Sequence, residues 1–128
     1  MDFYFDENFS YRIANALNEL EQVEKVHNVY STEIKFGKGI KDIPLFGMLK
    51  TANGILITKD YKMRTRTDEF EALKSNGITA ILISLPRQSF TLEYQTLISR
   101  WDEIKKLCEK EKRPFICRMT IRGKPSML

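Results

Sequence analysis

Three aspartates and one threonine have the types and spacing to do chemistry. Asp6 ends the apolar run "FYF", and Thr58 ends the run "ILIT" two residues before Asp60. Asp42 stands just ahead of Pro44 and a helical apolar pattern. Carboxylates with no histidine or cysteine beside them suit a hard divalent cation, and Mg2+ and Mn2+ both prefer oxygen ligands. Such an ion, held by Asp6, Asp42 and Asp60, would lower the pKa of a water, hold a phosphate oxygen and offset charge at the transition state. Without it, clustered carboxylates repel one another and one is expected to keep a proton. Thr58 would add a hydroxyl for a water or a scissile phosphate. Lys59 and Lys62 flank Asp60 and would attract a phosphate backbone.

Each residue also fits a plainer role. Aspartate is a preferred N-cap, which suits Asp42. Asp60 suits a turn and Asp6 a strand end. Glu7 and Asn8, which follow Asp6, support the site or simply start the first helix. His27, the sole histidine, reads as a strand side chain, and Trp101 as core. The chemistry therefore depends on the three aspartates meeting in space.

The pattern of elements brings them together. Phe3–Phe5 read as a strand; Ile13, Ala16, Leu17 and Leu20 then repeat at helical spacing. Val26–Tyr30 read as a second strand, followed by the basic glycine loop "KFGKGIK", residues 35–41. That loop fits a phosphate contact and a solvated surface equally well. Asp42 stands as N-cap of a helix that carries Leu45, Met48, Leu49 and Ala52 and stops at Asn53-Gly54. Ile55–Thr58 form a third strand, and a charged helix follows over Asp68–Ser75. Ile78–Pro86 form an almost continuous apolar strand, the sign of burial on both faces. A long helix over Thr91–Lys110 turns Leu97, Trp101, Ile104 and Cys108 inward, and Pro114–Ile121 read as a last, edge-like strand.

Strands alternating with helices predict an α/β domain with a mostly parallel sheet of four to five strands and helices on both faces. Ligands of such sheets bind outside the carboxyl ends of the strands. Asp6, Glu7 and Asp60 fall at carboxyl ends, and a helix opened by Asp42 starts at the same edge.

Composition sets the outer bounds. The chain has 128 residues and 42% hydrophobic residues, enough for one core, so residues 1–121 are expected to form a single domain followed by a mobile tail, 122–128. Net charge is +4, but residues 1–24 carry −5 and residues 101–128 carry +4. This fits an acidic site in a chain that attracts a polyanion. No apolar run reaches the roughly 20 residues of a membrane span. With an acidic rather than a basic start, the expected location is cytoplasmic and no membrane partner is expected. Cys108 and Cys117 show no metal or disulfide spacing and are expected as reduced thiols.

Three stretches, "FYFDENFSYRIANAL", "KDIPLFGMLKTANGILITKD" and "ITAILISLPRQ", resemble the PIN-like nuclease superfamily. More narrowly, they resemble the small prokaryotic group related to VapC-type toxin ribonucleases. The resemblance covers roughly residues 1–120. It implies a three-layer α/β/α sandwich and a metal-dependent endoribonuclease, the toxin of a toxin–antitoxin pair with an antitoxin protein as partner. Asp6, Asp42 and Asp60 match the family's metal ligands, and Thr58 matches its hydroxyl. Lys59, Lys62, Arg64 and Arg66 become candidate contacts to an RNA backbone. The chain departs from the pattern at Lys62, where the family often has a further Asp or Asn. That departure keeps open a non-catalytic module that binds nucleic acid or protein. A receiver-type phosphoacceptor domain, with Asp60 as acceptor, is a third reading, in which Asp42 has no role. A homodimer through the last strand and the long helix is a further expectation.

Overall fold

The computed structural model describes residues 1–59, 67–85 and 89–128. In chain order the elements are β1 (Asp2–Phe5), α1 (Tyr11–Glu21), β2 (Asn28–Ser31), α2 (Thr32–Phe36), α3 (Asp42–Ala52), β3 (Ile55–Lys59), α4 (Thr67–Ser75), β4 (Thr79–Ile83), α5 (Phe90–Lys110), β5 (Ile116–Met119) and β6 (Ser126–Met127). They build a six-stranded sheet of order β2-β1-β3-β4-β5-β6. All pairings are parallel except the last, β5 with β6.

Two cores flank the sheet, which is why the fold has three layers. On one face Phe3, Phe5, Ile55, Ile57, Ile81 and Cys117 pack against α1 and α5 through Ile13, Leu17, Trp101 and Ile104. On the other face Tyr4, Leu56, Ala80, Leu82 and Ile116 pack against α3 and α4 through Leu45, Phe46, Leu49 and Leu73. Successive strand residues alternate between the faces, as the pleat requires. β4 is buried along its whole length, as an inner parallel strand with helices on both sides must be.

Several local expectations change. α1 buries Ala14 and leaves Leu20 half exposed, and α3 buries Phe46 while Met48 lies open. The short helix α2 occupies part of a segment expected as loop. Asp42 is not an N-cap: that position is Lys41, and Asp42 is the first helical residue. The tail does not dangle. The guanidinium of the buried Arg100 donates to the carbonyls of Thr120, at 2.7 Å, and Gly123, at 2.6 Å. Ser126–Met127 then add a sixth strand along β5, so β5 is no longer an edge and its backbone is covered. His27 lies buried just before β2, with Nε2 3.1 Å from Glu109 Oε1 and its ring edge-on to Phe3. Cys108 and Cys117 are buried free thiols, pushed up by burial to about 12 and about 11, so neither forms a reactive thiolate near neutral pH.

Gly54 shows how closely the second core is built. A Cβ there would meet the Tyr4 ring at 2.5 Å. Tyr4 has no easy escape, because its ring stacks on Phe36 at 5.3 Å and leans on Tyr30 at 5.0 Å. Gly54→Ala is expected to destabilise the domain by about 1–3 kcal/mol, the usual cost of forcing a methyl into a packed core. Urea unfolding of the two proteins checks this, and an unchanged midpoint would show that Tyr4 can move.

Candidate active site

Sheet register builds the site. β1 and β3 pair with Phe5 opposite Ile57, so the next pair in step is Asp6 and Thr58. Alternation then turns both side chains toward the face covered by α3 and α4. The Asp6 backbone N–H continues the ladder to the Ile57 carbonyl at 3.1 Å. Thr58, itself buried, donates its hydroxyl to Asp6 Oδ2. Asn8 caps the other oxygen, its backbone N–H lying 3.0 Å from Asp6 Oδ1. The Thr58 hydroxyl proton is thus directed at the Asp6 carboxylate, which leaves the hydroxyl oxygen able to accept from a water.

Burial dominates the electrostatics of Asp6. Desolvation pushes its carboxyl up to about 6, against the lowering effect of the Thr58 and Asn8 hydrogen bonds; Glu69 raises it a little further and Lys59 lowers it a little. A partly buried carboxylate whose desolvation outweighs its hydrogen bonds is an oxygen ligand of the kind that fits a hard divalent cation. Asp6 and Asp42 are the described residues that would hold it.

Helix direction supplies the rest. Crossover helices run against the strands, so their N-termini open at the strands' carboxyl edge. Asp42 lies exposed in the first turn of α3 at that edge, on the face of Asp6 and Thr58. Glu69 lies in the first turn of α4 and is felt by Asp6. Nothing in the sequence marks Glu69 as functional, because an acid in a first turn is an ordinary complement to the helix dipole. Glu7 accepts a hydrogen bond from the Gly39 N–H, tying the basic loop to the Asp6 turn. Among the described residues no three His, Cys, Asp or Glu side chains come close enough to hold an ion together. Asp60, Lys62, Arg64 and Arg66 lie outside the described residues.

Lys59 takes a different direction from the one expected. It follows Thr58, so the pleat turns it to the opposite face, toward α5. There its ammonium meets Glu93 Oε2 at 2.7 Å, with both side chains close to buried, and lies 5.1 Å from the Phe9 ring centroid. The ammonium named as a candidate RNA contact is thus paired with Glu93 on the α5 face in this structure. Nothing in the sequence marks Glu93 as its partner, since the two are brought together only by the docking of α5.

A parallel sheet with an aspartate at the end of its first strand and a partner hydroxyl at the end of the neighbouring one defines an α/β domain with an acidic carboxyl-edge site. The family model described as "PIN like domain" matches residues 1–85, from β1 through β4, and the chain belongs to that family. No curated protein and no solved structure matches it. Among the described residues no helix is long and apolar enough to cross a membrane.

Proposed function

We propose that the protein is a Mg2+- or Mn2+-dependent endoribonuclease that hydrolyses RNA phosphodiester bonds. The observation that carries this reading is the Asp6–Thr58 pair at the carboxyl edge of a PIN-like sheet. Asp6, Asp42 and Asp60 would hold the ion, which when bound supplies an acidified water and polarisation of the phosphate. Thr58 and Asn8 hold the Asp6 carboxylate in one orientation, so the ligand is set before the ion arrives. Burial of Asp6 excludes water from that side and strengthens its attraction for a cation. The toxin role and the antitoxin partner rest on likeness to the VapC-type group and belong to the same proposal.

Cleavage of labelled single-stranded RNA with Mg2+ or Mn2+ tests the reading. Metal-dependent cutting lost in both Asp6→Asn and Asp60→Asn supports it. Folded protein that neither cuts nor binds Mn2+ overturns it and favours a non-catalytic module, the reading that Lys62 motivates. For the toxin role, expression is expected to arrest growth of host cells, and an Asp6→Asn variant is expected not to.

A further inference from the structure

Strand register also brings a basic loop to the site. β2 pairs with β1 with Ser31 opposite Phe5, so α2 begins at Thr32 directly beside Asp6. The loop that leaves α2 ends at Asp42, where α3 opens at the carboxyl edge. Its middle is clasped: Glu7, the residue after Asp6, accepts from the Gly39 N–H. Its shape is set by Gly37 and Gly39, whose φ values of 106° and 77° are ones that L side chains rarely adopt, and the space beyond both is open. Lys35, in the last turn of α2, and Lys38 and Lys41, along the loop, are exposed, and Lys41 adjoins Asp42. Lys35 lies over the Tyr30 ring at 4.7 Å, which restrains it at the base of the loop.

We propose that residues 35–41 are a binding loop for a single-stranded RNA backbone, with Lys35, Lys38 and Lys41 on phosphates and Glu7 as the positioning residue that holds the loop beside Asp6. The choice of RNA rests on the ribonuclease reading; the lysines and the clasp do not. Ammonium groups on phosphates release condensed counterions, so this binding is steeply salt-dependent. A strand held by Lys41 passes directly to the aspartates at the adjoining edge, with its flanking phosphates neutralised by the loop.

The test is binding of labelled single-stranded RNA by the full chain across a salt series, with chelator present so that nothing is cut. Replacing Lys35, Lys38 and Lys41 together by Ala is expected to reduce the log–log salt slope by about 2 and affinity near 0.1 M salt by about 100-fold. The same charge change at the opposite edge, in Lys74→Ala with Lys110→Ala and Lys112→Ala, is expected to leave affinity and slope near wild type. Glu7→Ala separates the clasp from plain charge. Loss of an acid alone would tighten RNA binding, whereas release of the loop weakens it several-fold. Glu7→Gln keeps an oxygen to accept from Gly39 and is expected to bind at least as tightly as wild type. Equal losses in the two lysine triples, or Glu7→Ala binding as tightly as Glu7→Gln, would overturn the proposal, as would a wild type that binds no RNA. A wild type that binds through the loop but never cuts with either metal overturns the ribonuclease reading alone.

Discussion

Asp6→Asn is expected to lower metal-dependent RNA cleavage by at least about 100-fold, because even partners that only orient a ligand cost about 10- to 100-fold when removed. The same substitution is expected to make the metal-free protein more stable at neutral pH. The folded state raises the Asp6 carboxyl from 3.8 to about 6, so it binds this proton more tightly than the unfolded chain does. Stability from this group is therefore highest below pH 4, falls as pH rises from 4 to 6, and stays low above. The difference is about 2 kcal/mol after allowing for solvent access. Asparagine carries no charge to desolvate and keeps an oxygen for the Thr58 hydroxyl, although its NH2 replaces the oxygen that accepts from the exposed Asn8 N–H. Urea unfolding in chelator at acid and neutral pH checks the sign: wild type should lose stability across that window and Asp6→Asn should not. Equal pH dependence of the two proteins would show that Asp6 is well compensated and that its strain is not what draws a cation. Thr58→Val should sit between them in cleavage, about 10- to 100-fold below wild type, since it frees the carboxylate without removing it.

The two expected effects have opposite signs. Asp6 is expected to cost the fold stability and to be indispensable to the chemistry, a combination that perturbed groups at functional sites often show. The part of this that was legible in the sequence is the part fixed by period and order. "FYF" and "ILIT" read as strands because short apolar runs bounded by polar residues have few other uses, and their alternation with helices implied a parallel sheet. From a parallel sheet the location of Asp6 and Thr58 at one edge follows. Which strand lies beside which does not follow. The pairing of Phe5 with Ile57, and hence of Asp6 with Thr58, is a tertiary fact settled by packing on both faces. The tail misled for the same reason. "RGKPSML" lacks a strand pattern, and what holds it is tertiary: Arg100 donates to the Gly123 carbonyl, and Ser126–Met127 pair with β5. Asp42 misled by one position, because aspartate is favourable both at an N-cap and in the first turn, through different interactions.

Lys59→Met is expected to destabilise the protein by about 3 kcal/mol and to reduce cleavage as well, although the ammonium points away from Asp6. The stability cost arises because Glu93 would be left close to buried with its partner ammonium gone, and breaking one side of a buried pair costs about 3–5 kcal/mol. Glu93 is 12% exposed, which places the expectation at the lower end. The effect on cleavage follows from the strand. Lys59 is the last residue of β3 and adjoins Thr58, so its anchor to α5 fixes the strand end from the face opposite the site. Release of that anchor lets Thr58 turn and loosens its hydrogen bond to Asp6. Replacing both partners, Lys59→Met with Glu93→Leu, removes the unpaired charge and is expected to recover most of the stability, since well-packed apolar pairs often match buried ion pairs. If packing alone positions the strand, cleavage recovers with stability in the double variant. If Lys59 instead met RNA directly, the double variant would regain stability but stay weak in RNA binding, with a shallower salt dependence. Thermal unfolding and RNA affinity measured on the same three proteins separate these outcomes, and recovery of stability and RNA affinity together is the result expected from the Lys59–Glu93 geometry.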